Sequence, residues 1–407
     1  MVTAINDNMF APEVIADPYT YYGQPREEDP IHWNELFRQW VITRHDDLVW
    51  IARHNELFSS AVLAKDTREA FPPIDEEDVE LFRHVRALGS HSIIQQDRPE
   101  HVDMRMVLHG YFNPKSMEKW RPMIQSAIKF LLDQAEEKGE MDVMQDFATP
   151  LPLLVIASMM GVPEEDRPYI RDLSKKILLG GAASAGRTKL QAQGNIEMRE
   201  YLDPLIEERL ANPTDDLLSI VVNAEKTGQY TRDQVLGNAV LLLIAGHETT
   251  LNLVCNGTLA FINNPEQWEL LRADPAGMAR KAMEESLRYD PPVKGIQRIA
   301  TEDVEIGGKV IREGEVTRWM ISSANRDPRV FDDPDTFDIN RWPNRHVAFG
   351  SGTHHCLGVN LAKMEGLEVF KALGERFESL HLNTNEDLEY WPTIGFRSLF
   401  TLPITWN

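Results

Sequence analysis

From Gln234 to Ile262 apolar residues recur at helical spacing almost without pause, and a helix that is apolar around so much of its surface has to sit inside a helical body. Its longest apolar run, Ala239 to Ala245, is far too short to cross a bilayer, so the burial is expected within the protein itself. The same spacing over Met123–Ala135 and Pro150–Met160 makes residues 114–263 predominantly helical. Before them, Trp40–Arg44 reads as a strand and Asp46–Arg53 as a helix. After Tyr289-Asp290-Pro291-Pro292 come short β segments and turns, then one amphipathic helix over about Leu357–Phe377, then strand-like residues to the end. The expected fold class is mainly α with a smaller β-rich part. The small residues from Gly180 to Gly186 interrupt the helices and are expected to form a mobile lid.

Composition narrows the function. With 407 residues and 42% hydrophobic content the chain can bury a large core. Neither repeat nor Gly/Ser linker divides it, so residues 1–407 are expected to form one domain. A formal charge of -22 disfavours nucleic acid and anionic membranes as partners. Two cysteines, Cys255 and Cys356, exclude a disulfide framework and fit a reducing, cytoplasmic setting. Met1 to Ala16 has neither a basic leader nor an apolar stretch, so no export signal is expected.

Chemistry concentrates at Phe349-Gly350-Ser351-Gly352-Thr353-His354-His355-Cys356-Leu357-Gly358, where a glycine-rich turn delivers one cysteine to the start of a helix. A sulfur there meets the positive end of the helix dipole and free backbone N–H groups, which favour thiolate over thiol. Gly350 and Gly352 allow a tight bend, and Gly358 lets a large planar ligand approach the backbone. Cys255, on the apolar helix, reads as core.

This string resembles the haem-binding signature of the cytochrome P450 superfamily, with Phe349, Gly352, Cys356 and Gly358 in their expected places. The resemblance implies a helical prism enclosing haem b, with Cys356 as proximal iron ligand, Phe349 packed beside the sulfur and His354 reaching a propionate. Three further segments extend it. Glu285-Ser286-Leu287-Arg288 puts an acid and a base on one helix face; with Arg341 in Pro334–Arg341 it is similar to the family's structural Glu-Arg-Arg network. His101 and Arg105 lie one helical turn apart after a proline-marked helix start, on a segment resembling the family's propionate-binding helix. Arg298 matches its propionate-contacting arginine.

Polar residues in Ala245-Gly246-His247-Glu248-Thr249-Thr250 break into the apolar helix, and a buried acid beside two hydroxyls costs desolvation unless it meets water or partners. A helix bend at Gly246 and Thr249 is the bland reading. By resemblance this is the oxygen-activating segment, Thr249 meeting the activated dioxygen and Glu248 feeding protons through water. A zinc-protease reading fails, since Leu251 stands where a second histidine is required. Alternation over Lys294–Arg298 places Lys294, Ile296 and Arg298 on one face. Lys294 then points either to the substrate cavity or to solvent. Leu243, Ala245, Lys294, Ile296, Ile394 and Phe396 are the candidate substrate contacts, with residues 57–94, 180–193 and 393–396 as the contact regions.

The resemblance implies a monooxygenase that hydroxylates or epoxidises a lipophilic small molecule such as a terpenoid, steroid, fatty acid or polyketide, the electron-rich thiolate favouring O–O cleavage. No flavin, nicotinamide or iron–sulfur motif is present, so electrons come from a separate ferredoxin or flavodoxin with its reductase. Lys115, Lys119, Arg121, Arg345 and Lys363 are candidates for the docking patch. A peroxide-driven peroxygenase and a non-catalytic haem-binding protein on the same fold are the alternatives, and neither needs the Glu248–Thr249 pair.

Overall fold

A computed structural model of the chain describes residues 5–64, 76–180 and 187–407. Of the lid expected from Gly180 to Gly186, residues 181–186 lie outside the described residues, as do parts of the contact regions 57–94 and 180–193.

The apolar stretch forms one continuous helix, Arg232–Asn263. It starts where Thr231 and Gln234 cap each other, the Thr231 hydroxyl accepting from the Gln234 N–H and the Gln234 side-chain oxygen accepting from the Thr231 N–H. By length and composition this helix could cross a membrane, but 67% of its most apolar window is buried inside the protein. Leu243, Leu253, Val254 and Cys255 are almost wholly buried, each apolar side chain stabilising the fold by about 1.5–3 kcal/mol. Two glycines set its close crossings. A Cβ at Gly246 would stand 2.6 Å from Ile156 on the Pro150–Met159 helix, and one at Gly257 would stand 2.4 Å from Phe370 on the Val359–Arg376 helix. Gly246 is therefore a packing glycine in a continuous helix.

The β-rich part is a five-stranded sheet in the order Ile31–Asn34, Gln39–Ile42, Val316–Trp319, Ile296–Ala300, Phe58–Ser59. The Gln39–Ile42 and Val316–Trp319 strands run parallel and the other pairs antiparallel. A three-stranded sheet joins Glu140–Asp142, Pro403–Trp406 and Leu380–Leu382. The expected helices appear at Arg121–Lys138, Pro150–Met159, His45–Arg53 and Val359–Arg376, within a few residues of their sequence bounds. The middle of the Arg232–Asn263 helix and the Ile296–Ala300 strand both line one cavity.

Candidate active site

The cavity holds about 300 Å³ and gathers His101, Arg105, Thr249, Arg298, Phe349, His354, Cys356 and Gly358 from four separate segments. Cys356 closes one wall. Its loop is fixed by the Cys356 N–H donating to the Phe349 carbonyl at 2.9 Å, and by positive φ at Gly350 and Gly352 (70° and 69°). Gly352 tolerates no side chain: a Cβ would fall 1.9 Å from the Ala52 carbonyl oxygen. A Cβ on Gly358 would meet no protein atom within 4 Å, which leaves its backbone open to a flat ligand. Of the two features expected to favour thiolate, the backbone N–H is present, from Gly358. Burial raises the thiol, and the Gly358 N–H and Arg105 only partly offset it. The Val359–Arg376 helix begins three residues beyond the sulfur, so its dipole acts weakly there.

Four cation-capable side chains line the cavity. The His101 and His354 rings lie 3.9 Å apart, and His354 Nε2 meets the Ser60 hydroxyl at 2.8 Å. Arg105 donates to the His355 carbonyl at 2.7 Å. Burial, then Arg105 and Arg298, pushes His101 down to about 4; burial, then Arg298, His101 and Arg105, pushes His354 down to about 3. Burial also lowers Arg298, to about 10. Among the described residues, His101 Nδ1 is buried with no hydrogen-bond partner. Two arginines and two neutral histidines around that ring nitrogen suit carboxylates, which would satisfy it.

Beneath the cysteine loop, Glu285 accepts from Arg288 Nε and Nη2, both at 2.8 Å, and from Arg341 Nε at 3.3 Å. Arg288 also donates to the carbonyls of Asn325, Pro334 and Thr336. The expected Glu285–Arg288–Arg341 network is thus present, with Glu285 and Arg288 fully buried.

The acid–alcohol pair divides between two cavities. Thr249 lines the Cys356 cavity, its hydroxyl donating to the Ala245 carbonyl at 2.9 Å. Glu248 and His247 line a second cavity of about 390 Å³, edged by Arg171, Asp172, Lys175, Trp391 and Phe396. Burial pushes Glu248 up to about 7, with only Asn252 bonding it, at 3.3 Å. His247 donates from Nδ1 to the Leu243 carbonyl at 2.8 Å, and burial keeps it neutral.

Of the candidate substrate contacts, Ala245 and Ile296 line the Cys356 cavity. Leu243 does not: on a helix the cavity face runs through Leu241, Leu242, Ala245, Gly246, Thr249, Thr250 and Leu253, and Leu243 turns into the core. Phe396 belongs to the second cavity, and Ile394 packs against Met9, Tyr22, Val41 and Met320. Lys294 reaches neither cavity nor solvent. The strand begins at Ile296, so alternation does not extend back through Gly295. Lys294 is 3% exposed and lowered to about 7, by burial first and then by Arg397. The proposed docking cations are largely spoken for: Lys119 pairs with Asp215, Arg121 with Glu118 and Glu368, Lys363 with Glu284.

Sequence reasoning passed over Glu365, which lines the same cavity from the Val359–Arg376 helix. Burial raises it to about 8; it accepts one hydrogen bond, from Thr250 at 3.4 Å, and its Oε1 has none. An acid between Met364 and Gly366 on the buried stripe of an amphipathic helix was the available signal.

Known proteins are similar to this chain in sequence and fold. The family model Cytochrome P450 matches residues 277–398. The chain is 34% identical to "Biotin biosynthesis cytochrome P450" of Bacillus subtilis (strain 168), covering 97% of this chain and 98% of the relative. It is 35% identical to "Polyketide biosynthesis cytochrome P450 PksS" of the same organism, over 96% of each. The solved structure of P450BioI in complex with hexadec-9Z-enoic acid ligated acyl carrier protein superposes with a TM-score of 0.88 at 33% identity, covering 97% of this chain and 99% of that one. With likeness at this identity running nearly end to end, the chain belongs to the cytochrome P450 family of haem-dependent monooxygenases.

Proposed function

We propose that residues 1–407 form one haem-thiolate domain in which Cys356 ligates the iron of haem b and one oxygen atom from O₂ is inserted into a lipophilic small molecule. The observation that carries this is the cavity itself: one cysteine sulfur on its wall, and His101, Arg105, Arg298 and His354 around an orphaned His101 Nδ1, a set suited to the two propionates. Bound there, haem b supplies O₂ activation and oxygen transfer.

The chain's own residues position, shield and supply protons. Phe349 and the glycine turn hold the sulfur in place. Ile93, Leu241, Leu253, Val293 and Ile296 keep the cavity apolar and exclude water around the substrate. Glu248, near 7, both holds and releases a proton at neutral pH. It exchanges that proton with the second cavity, which it lines, while Thr249 faces the substrate cavity. Electrons arrive from a separate ferredoxin or flavodoxin with its reductase. The relatives named for biotin and polyketide biosynthesis, and the neighbours holding an acyl carrier protein with its fatty acid and testosterone, support a fatty-acyl, polyketide or steroid substrate. Two cysteines without a disulfide fit a reducing, cytoplasmic setting.

The test is the absorption spectrum of reduced protein under carbon monoxide, alongside Cys356→Ala. A strongly red-shifted Soret band in the parent that is lost in the variant supports the assignment. A band indifferent to Cys356, or protein that takes up no haem, overturns it.

A further inference from the structure

Glu284 sits next to Glu285 near the end of the Pro275–Tyr289 helix yet serves different partners. Its buried carboxylate joins two segments: Oε2 meets His346 Nε2 at 2.8 Å, and Oε1 accepts from Lys363 Nζ at 2.7 Å. The tautomer of His346 follows from its other bond. Nδ1 accepts the Ala348 backbone N–H at 3.2 Å and so carries the lone pair, which leaves the proton on Nε2 for Glu284. Burial pulls the Glu284 carboxyl upward, but the hydrogen bonds from His346 and Lys363 prevail and hold it at about 2, so it stays an acceptor throughout the working pH range.

Both partners lead to Phe349. The Lys363 ammonium lies 5.4 Å from the centre of the Phe349 ring, and the His346 ring lies 6.0 Å from it. The hydrogen bond from Ala348 fixes the backbone immediately before Phe349, whose carbonyl in turn accepts the Cys356 N–H. One carboxylate therefore secures the ring and the main chain at the position from which the cysteine hangs. Glu285 does not do this: its hydrogen bonds go to Arg288, Arg341, Asn344 and the Asp338 N–H, which secure the segment further upstream.

We propose that Glu284, acting through His346 and Lys363, is a positioning residue that locks Phe349 and the Cys356 loop so that the sulfur keeps its place as iron ligand. The proposal rests on the assignment of Cys356 above. Groups that orient a metal ligand from behind typically change the metal site by about tenfold or more when removed.

The experiment uses purified, haem-loaded, full-length protein, reduced under carbon monoxide, and follows how fast the red-shifted thiolate-type band converts to the thiol-type band at fixed temperature. Glu284→Leu removes both bonds and is expected to speed conversion about tenfold. Glu284→Gln keeps an acceptor for His346 and should fall between it and the parent, while Lys363→Met, which removes one tie from a partly exposed side chain, should give about a threefold increase. A conversion rate in Glu284→Leu within about twofold of the parent, whatever happens to its melting temperature, overturns the proposal, because a contact that serves folding alone lowers melting without changing the ligand. If Glu284→Leu fails to load haem, His346→Phe and Lys363→Met decide the matter, and unchanged conversion in both overturns it. A parent without the thiolate-type band instead sinks the Cys356 assignment.

Discussion

Glu285 and Glu365 are both carboxylates wholly inside the protein, yet they are treated in opposite ways. Glu285 accepts from Arg288 twice, from Arg341, from Asn344 and from the Asp338 N–H. Glu365 has one long hydrogen bond from Thr250 and an oxygen with none, and Glu248 across the helix has only Asn252. Behind the cysteine loop, acids are surrounded by donors and act as fixed joints. Along the central helix, acids are left short of donors, which favours their protonated forms and makes them able to exchange protons at ordinary pH.

The largest effect expected from this contrast is in Glu285→Ala. It leaves Arg288 buried without its carboxylate and should cost about 3–5 kcal/mol in chemical denaturation; a loss under about 1 kcal/mol would break the comparison. Next comes Glu365→Gln, read as stability against pH. The folded value of about 8 lies above the ordinary 4.5, so the stability that Glu365 gives by holding its proton is fully present below 4.5 and is lost as pH rises through 8. Gln suffers no such loss, so variant minus parent stability should rise by roughly 4–5 kcal/mol between pH 4.5 and 9. Glu248→Gln should show the same sign over a narrower window, 4.5 to 7, and a smaller rise of roughly 2–3 kcal/mol. A flat difference for both acids would show that water or an unseen donor satisfies them, and would erase the distinction.

The legible parts of the chain were those where a local rule and the tertiary structure agree. The Phe349–Gly358 turn could be read because its glycines answer local demands, a positive φ at Gly350 and no room beside Ala52 at Gly352. The central helix was visible because its apolar residues have no other place to go. Arg298 and His101, far apart in sequence, were placed by family resemblance rather than by spacing, and the cavity does bring them together. Lys294 was misjudged because alternation holds only inside a strand, and the strand starts two residues later. The division of Glu248 from Thr249 was invisible because adjacent helical residues point about 100° apart, and the packing of three remote segments, 144–149, 171–175 and 391–401, creates the space that Glu248 faces. Glu284 looks like an ordinary helical acid in sequence; its partners come from remote segments.

The two cavities have no lining residue in common, although one helix walls both. A lineage can therefore reshape the chamber that selects the molecule, at Leu241, Ala245, Val293 or Ile296, without disturbing the chamber that houses Glu248. Change in what is oxidised becomes separable from change in how acid is supplied, and a single chemical engine can be refitted to new cargo one wall at a time.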